Sequence, residues 1–217
     1  MSAPPDDSSI PKTLDGIRDL YTGNLAEHGV NSKSVGWRDE ATHLLRFDRL
    51  ARLVNPTVPF TVNDWGCGYG AMCVDFEQRF GAAMTGFTGY DISREMLDAA
   101  RAAVRTPGAR FVHGSDVTEE ADYTFVSGTF NVKLESTDAE WAAYVTSRLE
   151  ALWAVSRRGL AFNLLTSYVD WKEPHLFYGD PRDFFDVCKR RLSKYVTLLH
   201  DTPLYEWTIL VHREPGA

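Results

Sequence analysis

The chain has 217 residues, 44% of them hydrophobic and 24% charged, which suits one folded unit with its own core. Lys and Arg number 23 against 30 Asp and Glu, a net charge of −7, which disfavours non-specific binding to nucleic acid or anionic lipid. The odd, scattered cysteines Cys67, Cys73 and Cys188 suggest neither a disulfide framework nor a zinc site, and they point to a reducing cytoplasm.

Residues 1–9 are polar and acidic and read as a frayed tail, with neither the basic nor the apolar segment of a signal peptide. No stretch is long and apolar enough to cross a membrane. Thr13 caps a predicted helix with Leu14, Ile17, Tyr21 and Leu25 on one face, ending at Gly29. A second helix is predicted from Trp37 to Val54, stopped by Asn55-Pro56. Together these helices, residues 10–56, read as a lid in front of a domain spanning 57–217.

A strand from Phe60 to Asp64 then runs into Gly66-Cys67-Gly68-Tyr69-Gly70, and a helix follows. Strands are predicted at Phe87–Ile92, Arg110–His113, Tyr123–Ser127 and Leu160–Leu165, separated by helices, one capped by Ser93 and one opened by the capping box Thr137-Asp138-Ala139-Glu140. Asp180-Pro181 starts a last helix. Tyr195–Leu199 and Tyr205–His212 are separated by five residues, too few for a crossover, so they form an antiparallel hairpin. The alternation predicts an α/β fold with a mostly parallel sheet.

Glycines between a strand and a helix let a ligand approach the backbone beside a helix N-terminus. The loop satisfies G-x-G-x-x-G/A, the dinucleotide fingerprint, yet Asp64 just before it would repel a pyrophosphate and suits a cationic amino-acid group. Asp91 ends the second strand, placed for ribose hydroxyls, and Asp116 follows the third, placed for an exocyclic adenine amine. A cationic nucleoside ringed by carboxylates describes S-adenosylmethionine (SAM).

Asp64-x-Gly66-x-Gly68-x-Gly70, Asp91 and Asp116 resemble the successive cofactor motifs of the class I SAM-dependent methyltransferases over about residues 60–212. The resemblance implies a Rossmann-like seven-stranded sheet, parallel with one antiparallel strand in the C-terminal hairpin. It also implies that Asp64 and the glycines face the methionyl end, Asp91 the ribose and Asp116 the adenine. A narrower resemblance rests on Val35-Gly36-Trp37, Arg46-Phe47, Ser127 to Lys133, Ala161-Phe162-Asn163 and Leu199-His200-Asp201. It is to a bacterial small-molecule subgroup related to the SAM-consuming cyclases that form azetidine-2-carboxylate.

The expected cofactor-binding residues are Trp37, Arg46, Asp64, Gly66, Gly68, Asp91, Ile92, Asp116, Val117 and Ser127, with Arg46 pairing with the methionyl carboxylate. Asn131, Tyr168 and His200 follow three different strands and are the expected catalytic group, orienting the nucleophile, with His200 able to take a proton. Cys67 reads as a small residue that fits the loop. Tyr168-x-x-x-Lys172 matches a dehydrogenase motif only in letters, because Pro174 interrupts the helix it needs. No metal site is expected. The expected activity is methyl transfer to a small molecule. The alternatives are cyclisation of SAM to azetidine-2-carboxylate and methylthioadenosine, a nicotinamide oxidoreductase, and a non-catalytic binding scaffold.

Overall fold

The computed structural model describes residues 9–215, so the expected tail lies outside the described residues except for Ser9, which opens the first helix. Helix α1 spans Ser9–His28 and is followed by a short 3-10 turn at Ser32–Val35. Helix α2 spans Glu40–Ala51, three residues later at its start than the sequence pattern suggests. The reason is local: Gly36 sits at φ 81° and breaks the chain, and the Asp39 carboxylate caps the helix by accepting from the Thr42 amide at 2.8 Å. Trp37 therefore lies in the connection and not on the helix.

The remaining elements are β1 (Phe60–Trp65), α3 (Ala71–Phe80), β2 (Met84–Asp91), α4 (Arg94–Ala103), β3 (Ala109–His113), β4 (Ala121–Val126), α5 (Asp138–Ala154), β5 (Ser156–Thr166), β6 (Tyr178–Gly179), α6 (Pro181–Arg191), β7 (Tyr195–Leu199) and β8 (Glu206–His212). The sheet order is β3-β2-β1-β4-β5-β8-β7. β8 runs antiparallel between β5 and β7, and the other neighbouring pairs are parallel. The two-residue strand β6, which the sequence did not signal, adds to the end of β5 in parallel. It is held there by the Trp207 indole, which donates to the Gly179 carbonyl at 3.0 Å.

Alternate residues of the central strands feed two cores on opposite faces of the sheet. Leu160, Phe162 and Leu164 of β5 pack with Trp141, Val145 and Leu149 of α5 and Phe184 of α6. Val62, Tyr123, Phe125 and Ala161 pack with Met72, Cys73 and Phe76 of α3 and with Phe47 and Leu50 of α2. The α2 helix is thus part of the main core. Burial of β4 along its whole length is what a parallel strand covered on both faces requires. The strand order reverses between β1 and β4, and a crevice opens outside their carboxyl ends, where open α/β sheets bind ligands.

Candidate functional site

The crevice is a cavity open to solvent on one side, at the ends of β1, β2 and β4. Its floor is the glycine loop. Gly66 adopts φ 79°, and a Cβ there would lie 2.2 Å from Thr129 Oγ1, so only glycine lets the loop after β4 close over the loop after β1. The Gly66 and Cys67 amides donate to the Tyr90 carbonyl at 2.8 and 3.0 Å, and this pins the loop to β2. Asp91 takes the Gly68 amide on one oxygen and the Ser93 amide on the other, both at 2.8 Å. Those two bonds fix the carboxylate at the cavity edge and leave lone pairs for a ligand.

Asp64 is the most deeply buried carboxylate of the wall. Burial pushes its pKa up to about 8, and the nearby Asp91 adds to the shift. Burial likewise raises the Cys67 thiol, with Asp91 and Asp64 reinforcing it, so this cysteine is held as an inert thiol. Three hydroxyls on the wall, those of Tyr90, Ser127 and Tyr144, are buried and have no hydrogen-bond partner among the described residues. Buried polar groups are normally satisfied, so an orphaned set converging on one cavity marks where a polar ligand belongs.

The opposite wall comes from the N-terminal segment. Leu14, Ile17 and Tyr21 of α1, Val35 and Trp37 of the connection, and His43 and Phe47 of α2 all line the cavity. Thr22 and Ser93 share a hydroxyl hydrogen bond at 2.9 Å that ties α1 to the start of α4. Tyr21 is pushed up to about 12 by burial and by Asp91. Burial lowers His43 to about 4, with Arg46 pushing the same way, so its imidazole is neutral.

Of the residues singled out from the sequence, Trp37, Asp64, Gly66, Gly68, Asp91, Ile92 and Ser127 line this cavity. Others are placed elsewhere. Arg46 is not free for a ligand carboxylate, because it is buried in a bidentate pair with Glu206, its guanidinium 3.6 Å above the Trp37 ring. Asp116 turns away after Gly114, its side chain 82% exposed and paired with Arg148 at 3.0 Å. With Val117 it borders a smaller neighbouring hollow. Asn131 is buried in a tight turn, its side-chain oxygen accepting from the Leu165 amide at 3.2 Å, which makes it a brace between β4 and β5. Tyr168 and His200 do meet, with ring centroids 5.9 Å apart, but on the exposed surface and outside the cavity wall.

Residues that sequence reasoning passed over are His43, Tyr144 and Glu206, while Asn163 was singled out only as part of the resemblance at Ala161-Phe162-Asn163. His43 carried one usable signal: it stands four residues before Phe47, on the face of α2 that meets the core. Glu206 carried none, since its partners Arg46 and Asn163 are distant in the chain.

A protein-family profile described as a methyltransferase domain matches residues 62–157. The Mycobacterium tuberculosis (strain ATCC 25618 / H37Rv) protein called Putative methyltransferase Rv1506c is 48% identical over 167 residues, covering 75% of this chain and 98% of that protein. The chain belongs to the class I SAM-dependent methyltransferases. Among solved structures, the fold of this methyltransferase is similar to that of magnesium protoporphyrin IX methyltransferase (ChlM) from Synechocystis PCC 6803 with bound S-adenosylhomocysteine. The TM-score is 0.63 at 14% identity, covering 95% of this chain and 98% of that one. The DhpI complex with S-adenosylhomocysteine matches at TM-score 0.64 and 11% identity, covering 94% and 98%.

The wall fits a SAM-sized ligand on its own chemistry. It joins two carboxylates at the ends of β1 and β2, three hydroxyls lacking partners among the described residues, and apolar surface from the N-terminal helices. A cation at Asp64 would relieve the cost of ionising that buried group.

Proposed function

We propose that this methyltransferase moves the methyl group of SAM to a small molecule that enters beneath α1 and α2. The observation that carries the reading is the covering of the cavity by Leu14, Ile17, Tyr21, Val35 and Trp37, which sets apolar side chains of the N-terminal segment across from the glycine loop and favours a small acceptor over a polymer. The net charge of −7 supports the same side, since a nucleic-acid acceptor calls for a basic field. Buried, unpaired cysteines fit a reducing cytoplasm.

SAM supplies an activated methyl group on a sulfonium. The chain's own residues bind and orient. Asp91 would accept from the ribose hydroxyls, and Asp64 would face the ammonium of the methionyl end. The Tyr90, Ser127 and Tyr144 hydroxyls would satisfy remaining polar atoms. The apolar lid excludes water and holds the acceptor in line with the carbon–sulfur bond.

The test is labelling. The protein is incubated with methyl-labelled SAM and a cell extract, which is then split by ultrafiltration. Label in the low-mass fraction supports the reading, and label confined to the macromolecular fraction overturns it. A parallel reaction with SAM alone is examined by mass spectrometry. Methylthioadenosine with a cyclic amino acid there would replace methyl transfer by the cyclase reaction.

A further inference from the structure

Resting on the reading of the cavity as a SAM site, we propose that His43 and the N-terminus of α3 together hold the methionyl carboxylate of the cofactor, so that this chain reads that carboxylate with neutral N–H donors and not with an arginine. The first observation is an uncapped helix. Gly70 precedes α3 at φ 82° and supplies no side-chain cap. Among the described residues the amides of Tyr69, Ala71 and Met72 have no hydrogen-bond acceptor, and all three residues line the cavity. The amides that open a helix carry partial positive charge and suit an anion.

The second observation comes from another element. His43 of α2 is only 6% exposed and lines the same cavity, yet its ring nitrogens take no hydrogen bond among the described residues. Its ring stands 6.4 Å from that of Tyr69, which directly precedes the head of α3, and is wedged between Phe47 at 4.5 Å and Trp37 at 6.0 Å. Burial and then Arg46 hold the imidazole neutral, so it offers one N–H to a ligand. A buried polar ring without a partner marks a place for a polar ligand atom. N–H donors from two elements therefore meet at one corner of the wall, and a carboxylate accepting several such bonds is held in its charged form.

The opposite pole lies on the same loop. Asp64 stands at one end of the glycine loop and the head of α3 at the other, and the Gly70 amide tightens the loop between them by donating to the Cys67 carbonyl at 3.0 Å. An α-amino acid carries both charges on one carbon, its ammonium toward Asp64 and its carboxylate toward the amides and His43. The cations near the cavity are placed for other work. Arg46 is engaged by Glu206 behind Trp37. Arg18 lines the cavity, but it pairs with Asp15 and Asp19. Thr22, one turn further along α1, ties that stretch to Ser93 just beyond Asp91, which puts Arg18 at the ribose end. The consequence is selectivity: a cofactor without its carboxylate leaves the amides and the imidazole unpaired.

The test is calorimetry on the full chain with two ligands, S-adenosylhomocysteine and S-adenosyl-3-thiopropylamine, the same molecule without its carboxylate. S-Adenosylhomocysteine should bind at least about tenfold more tightly, the scale of hydrogen bonds to a charged group. If neither ligand binds, the reading of the cavity falls and this proposal with it. If both bind equally, the cavity reading stands and this proposal is overturned. His43→Phe keeps an aromatic ring in the corner and removes both nitrogens. It should lower S-adenosylhomocysteine affinity by about tenfold or more and leave the thiopropylamine within about twofold. An equal loss for both ligands would make the histidine a packing residue, and no loss for either would remove it from the site; each result overturns the proposal. Arg18→Gln should leave the preference between the two ligands intact, and abolition of that preference would assign the carboxylate to Arg18 instead. If His43→Phe does not fold, His43→Leu replaces it, and the comparison of the two ligands on the unaltered protein stands independently.

Discussion

Arg46 and Glu206, 160 positions apart in the chain, form the buried ion pair that joins the N-terminal segment to the sheet. The Arg46 Nε donates to both carboxylate oxygens at 2.9 Å and Nη2 donates to one at 2.6 Å. Glu206 also accepts from the Asn163 side-chain amide at 3.1 Å, and the Asn163 oxygen accepts from the Gly128 amide at 2.6 Å. Gly128 in turn lies under the Trp37 ring, and Trp37 lies under Arg46. The circuit closes on itself and passes along the cavity wall at Trp37 and Gly128. Burial pushes the Glu206 carboxyl up, while Arg46 and then Asn163 pull it back down.

Breaking one half of this pair should cost far more than removing both. Arg46→Met leaves a buried carboxylate uncompensated and should lower stability by about 3–5 kcal/mol in urea denaturation. Adding Glu206→Leu should recover most of that loss. A single-variant cost below about 1 kcal/mol would show that water reaches the pair.

Gly128→Ala should act through Trp37. A Cβ at residue 128 would lie 2.3 Å from Trp37 Cζ2, and the residue adopts φ 70°. Overpacking of this kind costs about 1–3 kcal/mol and should displace the indole from the cavity. S-adenosylhomocysteine affinity, measured by calorimetry, should fall with it. Trp37→Leu in the same chain should restore part of the stability, so the two changes should not be additive.

Asp64 gives a pH dependence of known sign. Its folded pKa of about 8 lies above the unfolded value of about 3.9. Across that window the folded state holds a proton the unfolded state has lost, so this group's contribution to stability is full below about pH 4 and is lost as pH rises through 8. A cationic ligand favours the ionised form, so affinity for SAM should climb with pH up to about 8, with proton release on binding at pH 7. Calorimetry in buffers of different ionisation enthalpy checks both. Asp64→Asn should flatten the slope and stabilise the ligand-free protein in alkaline buffer.

The N-terminal wall should tighten on the ligand. Amides of residues 13–47 should exchange hydrogen more slowly with S-adenosylhomocysteine bound, because Leu14, Ile17, Tyr21 and Trp37 would gain a packing partner. Equal exchange with and without ligand would make this segment a fixed wall and not a lid.

Much of this protein was written in local sequence. The periodicity of apolar residues, the caps at Ser93, Thr137 and Asp180, and the short hairpin connection placed the helices and most strands, because each depends on neighbours within a few residues. The motif Asp64-x-Gly66-x-Gly68 with Asp91 was legible for the same reason: it sits at strand ends that the alternation of elements brings side by side. What the tertiary structure decided was the choice among long-range partners. Arg46 had an available carboxylate in Glu206 on β8, Asn131 an amide at Leu165, and Asp116 a guanidinium at Arg148, so each was drawn away from the cavity. His43 reached the wall because Asp39 started α2 late and set the helix's rotation against the glycine loop. Pairing across tens of residues depends on packing that no local pattern encodes, and those pairings determined which side chains remained free to face a ligand.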